Sequence, residues 1–147
     1  MPRYSVGTRS TGAGSTTLPV GALAASANVE ATVREIGVFN TTTTAVSVAI
    51  RRLTTAGTPG SGLSEIPWNS DAAAATATAF DTYTSTGPTL TAGFFSLATL
   101  GAAAGAGVIW TYGDQGLVIP KGTANGIGIL VATGTGQILD YYFVWDE

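Results

Sequence analysis

A series of Gly- and Pro-bearing turn signals limits the fold of this chain more than any other feature: Thr58-Pro59-Gly60-Ser61-Gly62, Thr86-Gly87-Pro88, Gly113-Asp114, Pro120-Lys121-Gly122, Asn125-Gly126 and Gly134-Thr135-Gly136. Gly tolerates positive φ and Pro fixes φ near −65°, so each signal ends a regular element within a few residues. The segments between them are short and rich in β-branched and aromatic residues. That combination predicts a sandwich or barrel of short strands.

Several segments alternate with period two, as half-buried strands do. In Ala45–Leu53, Val46, Val48 and Ile50 share one face, opposite Ser47, Ala49 and Arg51. In Gly126–Ala132, Ile127, Ile129 and Val131 alternate with Gly128, Leu130 and Ala132. In the last segment Leu139, Tyr141, Phe143 and Trp145 oppose Ile138, Asp140, Tyr142 and Val144. With both faces largely apolar, that strand is either central in its sheet or covered by a neighbour. In Glu30–Asn40 the register flips near Arg34-Glu35, which fits a β-bulge or a strand buried on both sides. Helical signal is thin: Pro19–Asn28 is Ala-rich enough for one or two turns, and Ser70-Asp71 suits the cap of a short Ala turn. The first residues read as an extended arm with a Gly/Ser/Thr hinge at Thr11–Thr17, ordered on docking. On this reading, deleting Met1–Thr17 leaves the domain folded and weakens assembly.

A chain of 147 residues suits one domain with an adequate core, so no disulfide or metal is needed for stability. Only 10% of residues are charged, against about 25% in an ordinary soluble domain. Thr, Ser, Gly and Ala take their place, and such a surface offers little repulsion to lateral contact. Net charge is −3, the pI is about 4.7, and the six basic residues are scattered. A nucleic-acid partner, which calls for a basic stripe, is not expected. The uncharged run Thr82–Gly113 is long enough for a membrane span, but Gly87-Pro88, Gly93, Gly101, Gly105 and Gly107 interrupt it, so no membrane partner is expected.

There is no His and no Cys, which removes the usual triads and thiol chemistry. Lys121, the single lysine, sits in a Pro-Lys-Gly turn, and the Lys-Gly-Thr order there is not that of a phosphate loop. Asp71, Asp81, Asp114 and Asp140 are the candidates for a carboxylate pair, each placed where turn chemistry or a solvated strand face explains it. The expectation is a protein without enzymatic activity and without a cofactor. Trp110, Tyr112 and Asp114 form the one cluster a glycan could use, provided both rings are exposed together in a groove. Arg51 and Arg52 are the only adjacent basic pair. Arg52 shares the face of Val46, Val48 and Ile50, so it either emerges at the strand's end or is buried with Glu35 or Glu65. Arg51 suits a contact with a neighbouring subunit.

Arg3-Tyr4-Ser5-Val6-Gly7-Thr8-Arg9, with Gly12–Pro19 after it, resembles the start of small virion proteins of tailed bacteriophages of actinobacteria. Arg34-Glu35-Ile36-Gly37-Val38-Phe39-Asn40-Thr41-Thr42 does too. Gly116-Leu117-Val118-Ile119-Pro120, Asn125–Val131 and Tyr141–Trp145 are similar to the closing strands of viral jelly rolls. The resemblance covers about half the chain and carries no diagnostic motif. It implies a capsid decoration (cement) protein on the virion surface, contacting the major capsid protein and its own copies, often as a trimer. A tail or head–tail structural protein and a glycan-binding host-attachment module are the alternatives. The expected fold is all-β, a single β-sandwich of jelly-roll type over residues 18–147, preceded by the arm over residues 1–17. Arg3, Tyr4 and Arg9 on that arm, with Arg51, are the expected interface residues.

Overall fold

The computed structural model describes all residues from 1 to 147. It contains no helix. The strands are β1 (Arg3–Arg9), β2 (Gly21–Ala24), β3 (Ala31–Asn40), β4 (Val46–Leu53), β5 (Ile66–Pro67), β6 (Thr78–Phe80), β7 (Ser96–Leu100), β8 (Gly107–Thr111), β9 (Leu117–Ile119), β10 (Gly126–Thr133) and β11 (Leu139–Asp146). They form two antiparallel sheets. Sheet A runs β5-β1-β11-β3-β8, with β9 also pairing β3, and sheet B runs β6-β2-β10-β4-β7. From β1 to β6 the chain changes sheet at every step, and it does so again between β7 and β8, between β9 and β10 and between β10 and β11.

The alternation of the sequence explains the packing. Sheet A sends Tyr4, Val6, Val33, Ile36, Val38, Tyr141, Phe143 and Trp145 inward. Sheet B sends Leu23, Val46, Val48, Ile50, Ile127 and Ile129, and all join one core. The two sheets thus share a single apolar layer, the arrangement of a β-sandwich. β11 lies in the middle of sheet A, between β1 and β3; Tyr141, Phe143 and Trp145 face the core, while Asp140, Tyr142 and Asp146 lie on the outer face in polar contacts. The register flip in β3 is a bulge: Glu35 pairs Val144 and Val33 pairs Trp145, so Arg34 is the extra residue. The bulge keeps Val33 and Ile36 both buried and turns Arg34 outward to reach Asp146.

The N-terminal segment differs from expectation. Arg3–Arg9 is not an arm; it pairs residue by residue with Arg3 opposite Asp146 and Arg9 opposite Asp140. Tyr4 and Val6 are the reason, because burying them against the core outweighs the freedom of a loose end. The Tyr4 ring stacks on Trp145 with centroids 5.8 Å apart. The expected hinge is tied down as well: Thr11 N–H donates to Asp81 Oδ1 at 3.3 Å and Gly12 N–H to Thr82 Oγ1 at 3.1 Å. The Ala-rich stretch after Pro19 becomes β2, where the free hydrogen-bonding sides of β10 and β6 override a weak helical preference. At Ser70-Asp71 there is only a turn, closed by Ala72 N–H to the Asn69 carbonyl at 3.0 Å.

Candidate interaction surfaces

The sandwich has one side where both sheets end in a free strand, β7 in sheet B and β8 in sheet A. Ser96 Oγ and Tyr112 Oη lie 3.3 Å apart and link the two edges. Register sets which side chains face out. Leu97 pairs Ala49 on the outer face of sheet B, and Ile109 pairs Gly37 on the outer face of sheet A. Both stay open to solvent, at 55% and 53% exposure. Phe94 and Phe95, in the turn before β7, are exposed too. No charged residue occurs between Thr82 and Gly113, so this side of the molecule carries none from its own strands. Free edge strands with apolar outward residues are templates for pairing with another chain unless charge or a bulge protects them.

Arg51 and Arg52 reach this region from β4. The Arg51 guanidinium lies 5.3 Å from the Phe94 ring centroid and donates to the Thr91 carbonyl. The Arg52 guanidinium lies 5.1 Å from the Phe95 centroid and donates to the Val118 carbonyl through both Nη atoms at 3.1 Å. Neither meets a carboxylate. The partners expected for Arg52 are engaged elsewhere: Glu35 accepts the Tyr142 hydroxyl at 2.6 Å, and Glu65 accepts Ala75 N–H at 3.1 Å. The chain's ion pairs are Arg3–Asp146, Arg34–Asp146 and Arg9–Asp140. Arg51 and Arg52 are therefore two cations without counter-charge, held by aromatic faces and carbonyls beside the uncharged edge.

The outer face of sheet A is organised differently. Arg3 Nε and Nη2 donate to Asp146 at 2.7 and 3.1 Å, and Arg34 Nε donates to the same carboxylate at 2.6 Å. Burial alone would raise the Asp146 pKa, but the two guanidiniums together hold it below the usual carboxylate range. Arg9 makes the same two-pronged contact with Asp140, at 2.7 and 3.0 Å, and its hydrogen bond lowers the Asp140 pKa. Beside these pairs the Tyr142 ring lies flat across β3. A Cβ on Gly37 would come within 2.1 Å of Tyr142 Cε1, so only glycine fits beneath it. Phe39 stacks alongside at 6.5 Å. Burial, then the Glu35 contact, push the Tyr142 hydroxyl up to about 12.

Of the residues expected at an interface, Arg51 borders the free edge. Arg3 and Arg9 are spent on pairs with β11, and Arg3 also stacks 5.3 Å from the Trp68 centroid. Tyr4 is buried, its hydroxyl donating to the Ala73 carbonyl at 2.8 Å. Trp110 pairs with Ile36 on the inward face of β8 and packs against the core, as does Tyr112. Burial raises the Tyr112 pKa. The two rings form no open groove with Asp114, whose backbone carbonyl accepts Arg34 Nη1 at 2.5 Å. The four candidate aspartates serve separate contacts. Asp81 is buried and accepts the Thr82 N–H at 2.8 Å, Asp140 pairs Arg9, and Asp71 and Asp114 are exposed. Nowhere do three or more Asp or Glu converge as metal ligands would.

Matched against family models, curated proteins and solved structures, the chain finds no counterpart.

The sequence reading missed Phe94, Phe95, Leu97 and Ile109. Their signal was present as apolar residues, two of them adjacent aromatics, within the longest uncharged stretch. In a chain so poor in charge throughout, that stretch does not stand out.

Proposed function

We propose that this chain is a structural component of a tailed-phage virion, a decoration protein that binds the assembled capsid and stabilises it through protein–protein contacts. The observation that carries the reading is the free β7–β8 side: two unpaired edge strands, outward Leu97 and Ile109, exposed Phe94 and Phe95, and unneutralised Arg51 and Arg52 beside them. An apolar centre with arginines at its border is the composition that protein interfaces favour. A carboxylate-bearing surface is the complement such a border calls for.

The order β1-β11-β3-β8 opposite β2-β10-β4-β7 supports a jelly-roll reading of the sandwich, with β5, β6 and β9 as additions. Viral capsid domains and lectins both use that architecture, so it does not choose between shell and glycan binding. The inward packing of Trp110 and Tyr112 favours the shell.

Co-sedimentation with purified, undecorated shells tests the proposal, scored by copies bound and by the heat resistance of the shells. Saturation at a fixed icosahedral copy number, with shells made more heat-resistant, is the expected result. Binding to isolated tails but not to shells would replace the decoration role with a tail role. Binding to neither would overturn the proposal.

A further inference from the structure

On the outer face of sheet B, away from the β7–β8 side, the loops enclose a pocket of about 350 Å³. Leu53, Ala24 and Phe80 come from β4, β2 and β6. Ala56 and Pro59 belong to the loop after β4, and Tyr83 to the segment after β6. No charged residue lines it. Tyr83 is the informative one. Its ring is 2% exposed and packs with Ala22 and Leu53, yet its hydroxyl makes no hydrogen bond within the protein. Burial alone pushes that hydroxyl up to about 12, so it is protonated and is a hydrogen-bond donor at neutral pH. Although the residue is buried, its hydroxyl oxygen is not sealed off, since Trp145 Nε1 is the one fully buried side-chain polar atom without a partner; a ligand in the pocket can reach it.

The walls are fixed in advance. Thr54 N–H donates to the Thr89 carbonyl at 2.9 Å, Thr58 N–H to Thr86 at 2.9 Å, and Thr89 N–H to Thr55 Oγ1 at 2.7 Å. Gly57 has φ of 60°, and a Cβ there would meet the Gly87–Pro88 backbone at 2.7 Å, so the loop sits in close backbone contact. At the mouth, Thr76 Oγ1 and Ser26 Oγ use their capacity on each other at 3.3 Å. A preformed pocket with mostly apolar walls and a few free hydroxyls, those of Tyr83, Thr78 and Thr123, is the ordinary form of a small-molecule site.

We propose that this pocket binds a neutral, largely apolar ring compound carrying one hydrogen-bond acceptor, which takes the proton of the Tyr83 hydroxyl. At about 30 Å³ per water-sized group, the volume suits a ligand of roughly ten heavy atoms. The absence of lining charge excludes carboxylates, phosphates and amines, whose desolvation nothing there offsets. The site is independent of the shell-binding surface.

Acetophenone, cumene and benzoate are near-isosteric probes of these three statements. Titrated into the intact protein, with the methyl signals of Leu53, Ala24 and Ala25 followed by NMR, acetophenone is expected to bind saturably. Cumene should bind about fivefold more weakly for want of the hydrogen bond, and benzoate should leave those signals unmoved. Tyr83→Phe should weaken acetophenone about fivefold and leave cumene unchanged. Ala56→Trp, a change on an exposed wall, should block both without altering the thermal midpoint. No saturable binding of acetophenone, equal binding of benzoate, or a Tyr83→Phe protein that holds acetophenone as tightly as the parent would each overturn the proposal.

Discussion

Replacing Asp146 by Asn should destabilise the fold and flatten its response to acid. The Asp146 side chain is only 7% exposed and accepts three hydrogen bonds, two from Arg3 and one from Arg34, whose side chain is 23% exposed. An Asn keeps one acceptor oxygen and turns an NH₂ toward a donor that needs an acceptor. Breaking a buried pair from one side costs about 3–5 kcal/mol. Arg3 is open enough for water to recover part of this, which leaves about 2–4 kcal/mol. At about 3 °C per kcal/mol for a domain of this size, the midpoint falls by roughly 6–12 °C at neutral pH. The acid response has a definite sign. The folded Asp146 pKa lies below its unfolded value, near 3.9, so between the two the unfolded state binds more protons and stability rises with pH. Its contribution is complete above the unfolded pKa and is lost as pH falls through the folded one. Calorimetric melting of parent and variant from neutral pH down into that window is the assay. The gap between the two midpoints should narrow in acid. A neutral-pH loss below about 1 kcal/mol, the level of an exposed pair, or acid profiles of equal slope, would refute the account of this site.

Deleting residues 1–10 removes β1, and with it Tyr4, Val6 and the pairing of β11 along its whole length; the product should be unfolded or insoluble, as circular dichroism would report. Arg9→Ala breaks an exposed, solvent-screened pair with Asp140 and should leave the midpoint of a denaturant titration nearly unchanged. Gly37→Val forces Tyr142 off β3 and away from Glu35, and should cost about 1–3 kcal/mol, with the tyrosine's near-ultraviolet signal changed. Leu97→Lys with Ile109→Lys places a charge on each outward edge position; shell binding should be abolished in co-sedimentation while the melting midpoint stays near that of the parent.

How much of this was legible depended on whether the deciding contact was local. β4, β10 and β11 announce themselves because large apolar residues recur at every second position over five or more residues, and the bulge at Arg34 is visible as a shift of face within one strand. β1 is different. Arg3-Tyr4-Ser5-Val6-Gly7-Thr8-Arg9 alternates, but it has only two apolar residues to bury, and what makes it a strand is β11 at the far end of the chain. β2, Gly21-Ala22-Leu23-Ala24, has the composition of a helical turn and becomes a strand between β10 and β6 through tertiary context. The same limit applied to the surface. Arg51 and Arg52 were recognisable as unusual, whereas Phe94 and Phe95 beneath them come from a turn forty residues on, and no periodicity joins the two.

The free edge also bears on how a protein of this kind would hold its place. Leu97, Ile109, Phe94 and Phe95 are already near half-buried, so covering what remains returns about 1 kcal/mol each, or roughly 4 kcal/mol together. Association costs at least as much in lost translation and rotation, about 4–15 kcal/mol. One such contact between two free molecules is therefore weak, even with edge hydrogen bonds added. Once this edge is docked on a shell, neighbouring copies meet at high effective concentration, and contacts outside the edge add without repeating that cost. Scarce surface charge helps here, since copies crowd together with little repulsion. The expected behaviour is a monomer in dilute solution by analytical ultracentrifugation and a stable layer on capsids. A tight dimer at nanomolar concentration would show that the four exposed side chains are not the whole interface, and that a second surface holds the copies together.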